Sequence, residues 1–313
     1  TMSNALGRLG WLALFLSTTV TAQTAQPEQD IPDLLDRMSR AVHFLDYDGS
    51  VVHLQGTDLE AMRISHTEQD GYEREHLIAL TGKAHQIVRD EYTTTRFQPE
   101  RKAVSVEERR HGVIVPALVS FDRERVALSY DFVPAGEARI AGRVTRIILL
   151  QPKDGARYGY RLYVDAKYAL PLKFDVIDEE KNYISQLMFT DLRIRHETPE
   201  SIEAASQQGQ DLRPVERPAY SGPWRFTKAP PGFELEFVNR EETNADVEHF
   251  VFSDGIATLS VYIEPDSASG LVGHQKVGAV GVLGAKVEGH QVTVVGEVPG
   301  ATLRSFVDGM TRG

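Results

Sequence analysis

The residue types that carry most enzyme chemistry are present, but not at working spacings. Ten histidines are scattered along the 313-residue chain, and cysteine is absent. There is no G-x-S-x-G elbow to raise a serine nucleophile on a strand-to-helix turn. Nor is there an H-E-x-x-H pair to set two imidazoles on one helix face for zinc. No pair of histidines has zinc-ligand spacing with a third partner. His53, His66 and His76 fall in alternating runs, where scattered histidines without a carboxylate partner read as structural or surface groups. Asp46-Tyr47-Asp48-Gly49 starts like a calcium loop but lacks the third ligand and the distal glutamate, so it reads as a turn before a strand. VGAVGVLGAKV (277–287) fails as a phosphate loop. The stretch from Gly278 to Gly284 is one residue too long, Ala285 intervenes before Lys286, and no Ser or Thr follows. A hairpin or loop is the better reading. Arg109, Arg110, Arg123 and Arg125 make one basic cluster, either a solvated charged surface or an anion-binding rim. The sequence therefore predicts no catalytic residue, no metal and no cofactor.

The elements that must carry any binding surface begin after a leader. Arg8 precedes the apolar run LGWLALFLSTTV (9–20), and Val20-Thr21-Ala22 has the small-residue pattern of a cleavage site. The run is too short to span a bilayer comfortably, so residues 1–22 read as a secretory signal peptide. Losing it removes one Arg and no acid from a chain whose formal charge is already −11. An acidic chain without a basic stripe is a poor nucleic-acid binder. An exported chain without disulfides relies on core packing, which this length supplies, and the Gram-negative periplasm fits that composition.

Asp30 and Pro32 open a helical pattern with Leu34, Leu35, Met38, Ala41, Val42 and Leu45 on one face. From residue 50 the pattern switches to period two. Short strands separated by tight turns predict an antiparallel meander as far as residue 107. Residues 111–133, broken by Pro116, read as loop, short helix and loop; strands resume from Arg139. The polar, Pro- and Ser-rich stretch 197–223 marks a boundary. The expected division is a large β domain over 23–205, a linker over 206–222 and a small β domain over 223–313. The tail from Pro299 reads as one short helix.

In YGYRLYV (158–164), Tyr158, Tyr160, Leu162 and Val164 share one face. In LPLKFDV (170–176), Leu172, Phe174 and Val176 do the same, opposed by Lys173 and Asp175. Many such strands and one helix make a curved sheet with an apolar concave wall. Either it closes on itself or it keeps a cavity for a guest.

Residues 45–90 resemble the opening of the RseB/MucB family, periplasmic regulators of the envelope-stress sigma factor. The matching positions include Tyr47, Gly49, Met62-Arg63-Ile64, His66, Asp70-Gly71, Glu75, Leu77 and Val88-Arg89-Asp90. The hairpin with Asp165, Leu170-Pro171 and Asp178 is similar to the same family's, as are residues 222–235, 249–265 and 289–299. His76, where a longer basic residue is expected, departs from the pattern. The resemblance implies a mainly β (α+β) chain: a large N-terminal unclosed half-barrel like the LolA and LolB lipoprotein carriers, with helices in its mouth, and a smaller C-terminal β domain. It implies that the protein binds the periplasmic segment of a transmembrane anti-sigma factor (RseA/MucA type) and shields it from proteolysis. Lipid or lipopolysaccharide fragments would release that grip. A lipoprotein or lipid carrier is the alternative, and a homodimer stays open. The expected lipid wall is Met62, Ile64, Leu162, Val164, Leu172 and Phe174, with Val113, Ile114 and Leu118 in a lid. The expected partner contact, at the interdomain region, is Arg217, Tyr220, Trp224 and Phe226.

Overall fold

Period-two alternation from Tyr47 onward makes each segment a pleated strand with one greasy face, and such faces are stable only when stacked side by side and covered. The computed structural model describes residues 31–69, 72–90, 93–98, 103–108, 121–195, 220–240, 247–266 and 270–313. Its first unit starts with α1 (Ile31–Phe44) and β1 (Tyr47–Gln55), β2 (Asp58–Gln69), β3 (Tyr72–Ala79), β4 (Gln86–Arg89), β5 (Thr93–Gln98) and β6 (Ala103–Glu108). Then come α2 (Arg123–Ser129), β7 (Tyr130–Ile140), β8 (Arg143–Pro152), β9 (Gly159–Asp165), β10 (Pro171–Ile177) and β11 (Tyr183–Ile194). The strands form one eleven-stranded sheet in the order β6-β5-β4-β3-β2-β1-β11-β10-β9-β8-β7. Two antiparallel meanders thus meet at the β1–β11 pair. Among the described residues the edges β6 and β7 do not pair with each other, so the sheet stays open.

α1 forms where the helical spacing predicts it and buries Leu34, Leu35, Met38, Ala41 and Val42. α2 is the short helix expected after the Pro116 break. Asp122 caps it, accepting from Glu124 N at 3.0 Å and Arg125 N at 3.1 Å. The strand that follows starts earlier than the sequence pattern predicts, at Tyr130 rather than Arg139. β7 carries Pro134 and Gly136, but it is an edge strand, where proline costs no ladder bond, and a register shift between Pro134 and Glu137 absorbs the irregularity. A two-residue turn at Ala141 and Gly142, both at positive φ, then separates β7 from β8.

The second unit comprises β12 (Trp224–Phe226), β13 (Glu234–Arg240), β14 (Glu248–Ser253), β15 (Thr258–Pro265), β16 (Gly273–Val277), β17 (Val280–Val287), β18 (His290–Gly296), α3 (Gly300–Asp308) and β19 (Met310–Arg312). A six-stranded sheet, β13-β14-β15-β18-β17-β16, packs beneath α3, the predicted tail helix, through Phe250, Phe252, Val261, Leu303 and Phe306. Three-residue β12 and β19 pair as a small separate ribbon that the sequence pattern does not reveal. The glycine-rich 277–287 stretch contains the β16–β17 turn and β17 of a hairpin, as its failed phosphate-loop spacing suggests.

Candidate functional site

Register decides which side chains share the concave wall, because opposed residues in antiparallel strands point the same way. Phe174 pairs with Leu162 on one side and Leu187 on the other; His53 faces Leu187 and Glu60. One strand turn further, Val51 faces Phe189 and Met62, and Ile64 faces Gly49 and Leu77. Met62, Ile64, Leu162, Val164, Leu172 and Phe174 therefore stand in one continuous core with the apolar side of α1. All six are buried, Leu162, Val164 and Leu172 completely. Gly49 earns its place here: a Cβ would lie 2.6 Å from Asp191 O and 2.9 Å from the Phe189 ring. Val113, Ile114 and Leu118 lie outside the described residues, as do residues 1–22, Asp70-Gly71, Arg109, Arg110 and Arg217.

Two features of this wall have no signature in the sequence. First, Ile256 and Ala279 of the second unit belong to the same core as the wall, so the smaller unit closes part of it. Second, the convex side is not simply solvated. Asp175 is fully buried, held by Lys173 Nζ at 3.1 Å and Gln186 Nε2 at 2.9 Å, while Lys173 lies over the Tyr163 ring. Long neighbouring side chains cover the short carboxylate, which alternation alone cannot foresee. Across β1 to β5 a hollow of about 270 Å³ is lined by His53, Glu60, Met62, His85, Ile87 and Arg96 among others. Burial pushes the His53 ring pKa down, with Glu60 opposing, and its Nε2 lies 3.1 Å from Ser185 Oγ. No group of three His, Asp or Glu among the described residues can hold a metal.

The seam between the units is polar and buried. Asp254, in the turn after β14, is fully enclosed. Its Oδ2 accepts from Arg157 Nε at 2.8 Å and Tyr130 OH at 3.2 Å; its Oδ1 accepts from Ile256 N at 3.0 Å and Ala257 N at 2.8 Å. Burial pushes the Asp254 carboxyl up, against the pull of these donors. Arg157 also donates to Pro231 O at 2.6 Å and Asp154 at 2.7 Å, beneath the Phe233 ring. Beside it Arg125 on α2 bonds Ser253 O at 2.6 Å and pairs with Glu236, and Thr302 on α3 donates to Ala156 O at 2.6 Å. The β16–β17 turn sets Gly278, at positive φ, so close to Gln55, Gly56 and Ile184 that any side chain there would clash.

Of the residues expected at the partner contact, Trp224 is buried in the second unit's core, edge-on to His290 at 5.1 Å. Phe226 is half-buried and packs on Phe250 and Phe252. Tyr220 is half-buried, its hydroxyl donating to Glu248 Oε2 at 3.1 Å.

Family models match both units: the MucB/RseB N-terminal domain over residues 30–213 and the MucB/RseB C-terminal domain over residues 218–311. The chain belongs to the MucB/RseB family. It is 26% identical over 311 residues to the sigma-E factor regulatory protein RseB of Haemophilus influenzae, covering 95% of this chain and 94% of that one. It is 29% identical to the sigma factor AlgU regulatory protein MucB of Pseudomonas aeruginosa, covering 91% and 92%. The solved structure of the Pseudomonas aeruginosa MucA/MucB complex superposes with a TM-score of 0.68 at 27% identity, covering 90% of this chain and 99% of that one. A crystal structure of MucB in complex with MucA(peri) gives 0.67 at 26%, with the same coverage. The mainly β, two-domain architecture with an unclosed first sheet is thus the family's.

Proposed function

We propose that this protein is a periplasmic negative regulator of a sigma-factor pathway. It binds the periplasmic segment of a transmembrane anti-sigma factor, shields that segment from regulated proteolysis, and lets go when a lipid or lipopolysaccharide fragment occupies the concave wall. The observation that carries this reading is the end-to-end match, both domains in order, to MucB proteins solved with MucA. The grip on the partner centres on the junction around Arg217, Tyr220 and Phe226, where Tyr220 and Phe226 are only half-buried, while buried Trp224 anchors that junction to the second unit's core. The lipid's chains replace the side of α1 against Met62, Ile64, Leu162, Val164, Leu172 and Phe174, with residues Val113, Ile114 and Leu118 following as a lid. The protein is not an enzyme and needs no cofactor. In calorimetry, the full mature chain is expected to bind the anti-sigma segment encoded in its own genome, and added lipid fragments to weaken that binding. Recovery of mature lipoproteins instead, with no anti-sigma binding, would favour a carrier. Size-exclusion of the same sample reads the homodimer.

The leader reading has its own expected result. On export, the mature chain should begin near Gln23 and fractionate with periplasmic contents, because 9–20 is too short an apolar run to remain as a membrane span. N-terminal sequencing that finds residues 1–22 retained on exported protein rejects it.

A further inference from the structure

We propose that His66, with Glu73 and His43, is a proton-operated latch that holds the end of α1 over the concave wall. The latch is closed in acid and loosens as pH rises. His66 on β2 is buried, and both of its ring nitrogens face acceptors. Nδ1 lies 2.7 Å from the carbonyl of Leu45, just past the end of α1, and Nε2 lies 3.0 Å from Glu73 Oε1 on β3. The other oxygen of Glu73 is 3.5 Å from Nδ1 of His43, in the last turn of α1. One carboxylate therefore ties the helix to the sheet twice, directly through His43 and through the His66–Leu45 bond.

Both contacts of His66 are satisfied together only while a proton is shared between the ring and Glu73. A carbonyl can only accept, and a neutral imidazole has a single N–H. Once the proton leaves, either the Nε2 lone pair faces a carboxylate or the tautomer changes and the Leu45 carbonyl loses its donor. In a buried site each alternative is unfavourable.

The surrounding charges favour the proton. Glu75 on β3 adds a second carboxylate, itself 2.6 Å from Arg89 on β4, while the Tyr47 ring of β1 stacks on His66 at 5.2 Å. Asp46, in the turn before β1, and Glu68, on β2 itself, lie near this end of the helix, linked by a bond from Glu68 N to Asp46 Oδ1 at 2.8 Å. Arg195 beside them bonds the Asp46 carbonyl through its backbone N–H, and Ser65 Oγ and Asp48 through its guanidinium cation. Burial alone lowers the His66 pKa, but the hydrogen bond and charge of Glu73, with the Leu45 carbonyl and Glu75, leave it raised. Burial, with Glu75 and Glu73, raises Tyr47 well above its usual range, so the stacked phenol stays neutral. A histidine whose folded pKa is raised contributes fully below its unfolded value of about 6.5. Its contribution fades as pH climbs through the folded value.

The consequence for lipid entry rests on the function proposed above; the latch itself is tested without lipid, on the full mature chain. The His66 ring is expected to titrate above about 6.5 by NMR. Amide exchange in residues 31–44, corrected for intrinsic rates and referenced to β9, is expected to lose about tenfold protection per unit of pKa shift between acid and alkaline pH. His66→Gln should flatten that dependence; if it does not fold, Glu73→Gln, which removes the carboxylate that holds the His66 proton, should weaken it in a folded chain. A ring that titrates at or below the ordinary value, or a helix whose protection is independent of pH, overturns the latch. Equal loss in β9 would assign the effect to global unfolding and overturn it as well.

Discussion

Asp254→Ala is expected to cost about 3–5 kcal/mol of stability and to part the two domains, because it strands a buried guanidinium. Arg157 is almost fully enclosed between units, with Tyr130 and Phe233 on its faces, and among the described residues Asp254 is its only fully buried anionic partner. Removing the carboxylate also orphans the amides of Ile256 and Ala257, which shape the turn that carries Ile256 into the shared core. The pair need not be stabilising relative to an apolar seam; what is costly is leaving half of it. Asp254→Ala with Arg157→Met should therefore recover part of the loss, and Tyr130→Phe alone should cost only about 1 kcal/mol. Urea unfolding gives the energies, and small-angle scattering reads the separation of the domains. A single Asp254→Ala variant as stable and compact as the parent would mean that the seam is not what joins the units.

How much of this was legible beforehand depends on sequence range. Local periodicity marks α1 through Leu34, Leu35, Met38, Ala41 and Val42, and the alternation around Leu162 and Phe174 assigns their faces correctly before any register is known. The start of β7 at Tyr130 falls inside the stretch read as loop, because this edge strand carries Pro134 and Gly136 across a register shift that breaks the alternation. The seam is invisible for a different reason. Arg157 and Asp254 are 97 residues apart, each in a turn, and no spacing rule joins residues that meet only because two domains dock. The His66 site illustrates the same limit at closer range. Glu73 is only 7 residues away, yet the two meet because β2 and β3 form a hairpin, and Leu45 enters because α1 ends there. Trp224 looks like a contact residue because it follows the linker; its short ribbon with β19 turns it into the second unit's core.

Phe174→Asp is expected to cost several kcal/mol, enough to threaten the first domain's folding. Truncating a buried phenylalanine alone typically costs about 3–5 kcal/mol. A carboxylate there would add the penalty of an unpaired charge, relieved only by taking up a proton. The ring is 6% exposed, stacks on Tyr160 at 5.1 Å and stands between Leu162 and Leu187, neighbours that offer a carboxylate no charge partner. Lys173→Asp on the opposite face is not a neutral control, because it would place a second carboxylate against buried Asp175. Val144→Asp is the better one: it makes the same kind of change in the same sheet at a residue 54% exposed, where a cost within about 0.5 kcal/mol is expected. Phe174→Leu separates folding from binding, since it keeps an apolar side chain of smaller volume; it should fold and alter the response to lipid. Thermal unfolding of the three variants, with lipid competition on those that fold, decides the matter. Should Phe174→Asp fold with a loss near 1 kcal/mol, the wall beneath α1 is already open to water, and lipid needs no movement of the helix to reach it.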